Sequence, residues 1–244
     1  MLRRGQPAVP QPTALMRFDG FIQVAGIIDQ LEAELLIDCG VEYLGFPLRL
    51  PVHREDLTEA DAAVIVARLA APVRAIVITY LDRADDVLAL CGQLGATIVQ
   101  LHGDIEADEL AELANAAPDL VVIKSLVVRD GNRAALERTV EALSPHVAAF
   151  ITDTYDPATG ASGATGKTHD WSVSRHLVEI SARPVILAGG LTPRNVREAV
   201  VEVRPAGVDT HTGVEGTDGR KTRALVRAFV DAARAGFADL AGEA

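Results

Sequence analysis

The chain has 244 residues, of which 49% are hydrophobic and 23% charged, with a formal charge of −11 at pH 7. That balance suits one ordinary globular core and argues against a broad surface for nucleic-acid phosphates, which needs clustered Lys and Arg. Aromatic residues, at 4%, are too sparse for a base-stacking platform, and no segment has the roughly 18 uncharged apolar residues of a membrane span.

Residues 1–17 begin M-L-R-R-G-Q-P-A-V-P-Q-P, with prolines in place of the continuous apolar stretch of a signal peptide. They are expected to form a flexible extension, leaving 18–244 as one domain. From there a single rhythm repeats, a short β-branched run followed by a helical pattern rich in Ala, Leu and Glu. Phe21–Gly26 leads to a helix over Asp29–Cys39, and Tyr43–Phe46 to one over Thr58–Leu69. Val73–Tyr80 precedes Arg83–Leu94, Thr97–Leu101 precedes Ile105–Ala116, and Leu120–Val127 precedes Arg133–Leu143. Val147–Asp153 is separated from the helix Ser172–Ile180 by a long loop. Pro184–Ala188 then precedes Pro193–Val203, and Gly207–Thr210 precedes Arg220–Ala235.

Gly40 and Gly95 stand where left-handed helix ends are expected, and Thr192-Pro193 reads as a hydroxyl cap before a first-turn proline. Nearly continuous apolar runs such as V-V-I-K-S-L-V-V fit parallel strands covered on both faces. Eight strand–helix pairs without a linker predict an α/β fold of the TIM type, a single (βα)₈ barrel, whose active site lies at the C-terminal ends of the strands. Cys39 and Cys91 are spaced for neither a metal knuckle nor a redox pair, which points to a reduced, cytoplasmic protein.

Polar residues collect at those strand ends. Gly189 and Gly190 close the seventh run, and Thr212-Gly213 follows the eighth; glycines before a helix start let backbone N–H groups approach an anion. Loops after strands seven and eight are a frequent phosphate site in barrels, so a small phosphorylated substrate is expected. Asp153, at the end of the sixth run, is a candidate proton donor or acceptor. Asp209 is placed to orient a substrate hydroxyl. Lys124 in a covered strand needs solvent, an acid or a ligand, and His102 and His211 sit where they can face the mouth. No H-x-H or H-E-x-x-H spacing supports a metal, and none is expected. Arg54 is suited to a substrate carboxylate, to which guanidinium makes paired bonds.

The loop G-A-T-G-K-T-H-D-W contains Gly163, Thr165, Gly166 and Lys167. It fails the nucleotide-binding P-loop spacing, because Ala161 stands where the first glycine belongs. Its composition suits a substrate-covering loop.

The pairing of G-A-T-G-K-T-H-D-W with V-I-L-A-G-G-L-T-P-R-N-V carries a resemblance. With L-G-F at 44–46, V-Q-L-H-G-D at 99–104, V-I-K at 122–124, D-T-Y at 153–155 and G-V-D-T-H-T-G-V-E at 207–215, the chain resembles the phosphoribosylanthranilate isomerases of tryptophan biosynthesis. The likeness runs from Phe21 to Val230. It implies a cofactor-free Amadori rearrangement, aldose-amine to ketose-amine, of a phosphorylated ribose derivative. By resemblance Asp153 is the general acid, Gly189, Gly190, Thr212 and Gly213 hold the phosphate, and Arg54 receives the anthranilate carboxylate.

The family's first strand reads K-I-C-G-I, with the cysteine as general base. This chain reads Q-V-A-G-I, with Gln23 for the lysine and Ala25 for the base. Three readings follow: an isomerase whose base is another group, His211 first and His53 or Asp19 after it; an isomerase or epimerase of a different phosphorylated sugar; or a noncatalytic ligand-binding homologue. A monomer or homodimer is expected in each.

Overall fold

The computed structural model describes residues 16–51, 56–156, 161–162 and 168–242. Its strands are β1 (Phe21–Ala25), β2 (Tyr43–Pro47), β3 (Arg74–Thr79), β4 (Ile98–Leu101), β5 (Val121–Val128), β6 (Ala149–Asp156), β7 (Ala161–Ser162), β8 (Val185–Leu187) and β9 (Gly207–Thr210). All but β7 pair in parallel in the order β5-β4-β3-β2-β1-β9-β8-β6, and β5–β6 pairing closes the ring. This is the expected (βα)₈ barrel. The two-residue β7 is an addition that the sequence did not announce: it runs antiparallel to β6, opposite Tyr155 and Asp156.

Around the ring lie α1 (Gln30–Asp38), α2 (Glu59–Val66), α3 (Ala84–Leu94), α4 (Ala107–Ala116), α5 (Arg133–Leu143), α6 (Trp171–Ile180), α7 (Val196–Val203) and α8 (Arg223–Gly242). Their starts follow local chemistry. Asp29 and Thr58 accept the backbone N–H groups of Glu32 and Asp61, and Gly95 ends α3 at φ 66°. The helix expected from Pro193 begins later. Asn195 Oδ1 accepts the Thr192 N–H at 2.7 Å while its Nδ2 donates to the Gly190 carbonyl. Residues 192–195 are thereby held as a turn, and α7 starts at Val196. The last helix also extends past Ala235, to Gly242.

Two apolar layers result. Strand residues such as Leu44, Phe46, Leu101, Phe150 and Val208 pack outward against the helices. Phe21, Ile76, Ile98, Ile123, Ala149, Ile151 and Ile186 fill the barrel interior. Because side chains alternate along a strand, the next inward positions are Gln23 above Phe21, Gln100 above Ile98, Ser125 above Ile123, Asp153 above Ile151 and Asp209 above Gly207. An apolar floor thus supports a polar layer at the C-terminal mouth.

Phe150 bridges β5 and β8 in register, opposite Lys124 and Val185, and has no exposed surface. Phe150→Ala is expected to destabilise the barrel by about 3–5 kcal/mol, measured as a shift in the denaturant midpoint.

Candidate active site

The polar layer begins with an amide ladder. Gln23 Nε2 donates to Gln100 Oε1 at 3.1 Å, and Gln100 Nε2 donates to Ser125 Oγ at 3.2 Å. Gln23 lies in register with Asp209 across the β1–β9 pair. Burial, and then the negative charge of Asp153, raise the Asp209 carboxyl well above the usual range. Lys221 and the Gln23 amide oppose that rise. The Oδ1 of Asp209 is withdrawn from water and has no hydrogen-bond partner among the described residues.

Asp153, at the end of β6, has both oxygens occupied. Its Oδ2 meets His102 Nε2 at 3.1 Å, and its Oδ1 accepts the Thr154 N–H at 2.7 Å. His102 comes from the end of β4 and stacks on Tyr80 at 4.6 Å between ring centroids. Burial, aided by the Asp153 charge, pushes the Tyr80 phenol up to about 12, so it stays protonated.

His211 follows β9 and leans over the end of β1. A Cβ on Gly26 would collide with its imidazole, and Gly26 has φ 76°. Its Nε2 lies 3.5 Å from Glu215 Oε1 and 4.0 Å from Asp56 Oδ2. The ring therefore stands over the residue that follows Ala25 in the chain.

Glu215 leads to a buried charge cluster that sequence reasoning missed. Lys221 Nζ donates to the Gly26 carbonyl and, at 3.1 Å, to Glu215 Oε1, with Glu32 Oε2 at 3.9 Å. Glu32 also accepts the backbone N–H groups of Lys221 (2.8 Å) and Ile28 (3.2 Å). The group ties the loop after β1 to the segment before α8.

Beside this cluster the loops after β8 and β9 meet. Thr210 Oγ1 donates to the Leu191 carbonyl at 2.8 Å, and a Cβ on Gly213 would collide with that same oxygen. Gly189 and Gly190 are left-handed, at φ 97° and 64°, and among the described residues no acceptor takes their N–H groups. Thr212 and Gly213 open the single 3₁₀ turn that follows β9. Beside them His169 bonds to Thr154 Oγ1 at 2.8 Å and Ser174 Oγ at 2.6 Å, fastening the start of α6 to β6. Burial pushes that imidazole down to about 4.

Lys124 is not brought into this group. Its neighbours Ile123 and Ser125 point inward, so Lys124 projects outward and donates to the Ser125 carbonyl at 2.8 Å. Burial lowers the ammonium to about 8. It lines a groove of about 1010 Å³ that runs from Tyr80 and His102 outward to Arg138 on α5. Arg54 and His53, together with Gly163, Thr165, Gly166 and Lys167, lie outside the described residues. Among the described residues no three His, Cys, Asp or Glu side chains are grouped to hold a metal ion, and no helix is long and apolar enough to cross a membrane.

Residues 33–232 match the family model described as N-(5'phosphoribosyl)anthranilate (PRA) isomerase. The chain belongs to the phosphoribosylanthranilate isomerase family. An N-(5'-phosphoribosyl)anthranilate isomerase 2 of Methanosarcina mazei is 36% identical over 221 residues, 88% of this chain and 95% of the relative. The isomerase of Haloferax volcanii is 36% identical over 214 residues, 87% and 92% of the two chains. Among solved structures, the Thermotoga maritima isomerase superposes with a TM-score of 0.74 at 27% identity, covering 88% of this chain and 98% of that one. Another phosphoribosylanthranilate isomerase, in complex with reduced 1-(o-carboxyphenylamino)-1-deoxyribulose 5-phosphate, gives 0.73 at 25% identity with the same coverage.

Two outcomes follow from the buried ionisable groups. Lys221→Met leaves the Glu32 and Glu215 carboxylates without their cation and is expected to cost about 3–5 kcal/mol of stability, measured by denaturant unfolding. His169 is held neutral, so below its unfolded pKa of about 6.5 the unfolded chain binds the extra proton. Its contribution is full above that pH and is lost as pH falls towards 4. Unfolding titrations over this window should show a shallower loss for His169→Gln than for the parent.

Proposed function

We propose that this chain isomerises N-(5'-phosphoribosyl)anthranilate to the corresponding 1-amino-1-deoxyribulose 5-phosphate, as an intramolecular oxidoreduction between C1 and C2 without a cofactor. The observation that carries the reading is family membership joined to the layout of the mouth: Asp153, held against His102, shares it with the paired-glycine loop after β8. The proposed order begins with the phosphate on the N–H groups of Gly189, Gly190, Thr212 and Gly213, whose left-handed glycines leave the backbone open to an anion. Asp153 gives a proton to the furanose ring oxygen; the ring opens and the anthranilate nitrogen forms an iminium with C1. A base then takes the proton from C2, leaving an enaminol.

For that base we assign His211. The family's thiol would project from residue 25, where Ala25 has only a methyl group, and the imidazole lies over the adjacent Gly26. Glu215 beside Nε2 favours a hydrogen on that nitrogen and so orients the ring, the part a carboxylate plays in a catalytic triad. His102, through Asp153, positions the acid. Arg54 is proposed to receive the anthranilate carboxylate, and Gly163, Thr165, Gly166 and Lys167 to cover the bound substrate. The reaction places the chain in tryptophan biosynthesis, in the cytoplasm, as a monomer or homodimer. Both thiols are buried, Cys91 being pushed up to about 11 by that burial, in keeping with a reducing compartment.

The assay is loss of phosphoribosylanthranilate by the purified parent, Asp153→Asn and His211→Ala at one pH. Each variant is expected to lose roughly 10²–10⁴-fold in kcat/KM. An active parent beside a fully active His211→Ala protein would remove the imidazole from the mechanism; a parent that converts nothing would remove the reaction itself.

A further inference from the structure

The enaminol left by removal of the C2 proton is not yet product. Its C2 hydroxyl must lose a proton and C1 must gain one, and neither Asp153 nor His211 is arranged for both transfers. Both Asp153 oxygens are engaged, by His102 and by the Thr154 N–H. The imidazole of His211 turns its Nε2 to Glu215 and Asp56.

We propose, resting on the reaction assigned above, that Asp209 is a third catalytic residue, whose carboxyl bridges the C2 hydroxyl and C1 and carries out this last tautomerisation. Asp209 stands in the polar layer beside Gln23, and two oxygens there lack a hydrogen-bond partner among the described residues, Asp209 Oδ1 and Gln23 Oε1. An oxygen withdrawn from water without a donor is costly in a carboxylate and less so in a carboxylic acid, which carries its own hydrogen. The burial of Asp209, and then the charge of Asp153 on β6, favour the neutral acid against the Lys221 cation and a hydrogen bond from the Gln23 side chain. A lysine at position 23, as the family carries, would add a second cation; the Gln23 amide adds none. The substitution that removes a charge from β1 thus keeps a proton on β9.

The step balances without any other reactant. The carbonyl oxygen of Asp209 takes the proton of the C2 hydroxyl, while its own O–H gives a proton to C1. The O–H bonding pair at C2 becomes the ketone π bond, and the enaminol π pair becomes the new C1–H bond. Asp209 is neutral before and after, with its two oxygens exchanged. The carboxyl oxygens are separated by one atom, as are the C2 oxygen and C1, so one group can reach both. A carboxyl kept neutral by its site donates a hydrogen bond to the enolate oxygen in ketosteroid isomerisation.

The test is a partition experiment with substrate deuterated at C2, on the parent, Asp209→Asn and Asp209→Ala. If Asp209 acts only in the last step, both variants form ketose at least roughly 10²-fold more slowly while still releasing deuterium to water. The ratio of deuterium release to product then rises by the same factor. Release and product falling in step, or turnover left intact, overturns the proposal. A parent that neither releases deuterium nor forms ketose overturns the underlying reaction, and this role with it. Carbon NMR of the parent labelled at aspartate carboxyls reads the same claim without turnover or variants: one carboxyl still protonated at neutral pH is expected, and complete ionisation refutes the assignment.

Discussion

The ammonium of Lys221 is withdrawn from water at the point where the barrel's first and last units meet, and the geometry of the mouth depends on it. It holds the Gly26 carbonyl and Glu215 while Glu32 closes on its backbone, so the ends of β1 and β9 are fixed to each other by charge as well as by the sheet. A buried cation is tolerable only when its partners are this well arranged. The same arrangement aligns Glu215 with His211 and presses that ring onto a residue that must be glycine. Electrostatic cost is thereby converted into a fixed imidazole over a strand that has lost its own reactive side chain.

Below that cluster, the mouth is built from groups that differ in how completely they are satisfied. Gln23, Gln100 and Ser125 make a neutral ladder with little freedom to rearrange. Both oxygens of Asp153 are hydrogen-bonded, one to His102 and one to the Thr154 N–H. Asp209 shares the layer and lacks donors at one oxygen. Two acids of one barrel layer therefore meet different hydrogen-bonding surroundings.

The repeating elements were legible because each strand is short, β-branched and followed by a helix with a readable cap or glycine stop. Thr58 and Gly95 behave as their chemistry dictates. Thr192 does not, because the side chain of Asn195, three residues on, captures it. Facing was the harder property. In a parallel strand buried on both sides the apolar run is continuous, so nothing local tells Ser125 from Lys124, yet one looks into the mouth and the other away from it. The Lys221 cluster was illegible for another reason. Glu32 and Lys221 are 189 positions apart, and only ring closure makes them neighbours. The places of Asp153 and the paired glycines at strand ends could be read, since each follows directly on a short apolar run.

The close approach of the last two loops has a consequence for how such a site changes. Gly213 leaves no room beside the Leu191 carbonyl, and Thr210 is bonded to that oxygen. Neither loop can be lengthened, shortened or given a bulkier residue at this contact unless the other moves with it. The two loops therefore change only together, as one unit, while β1, hydrogen-bonded to β9 beside them, carries Gln23 and Ala25 outside that contact.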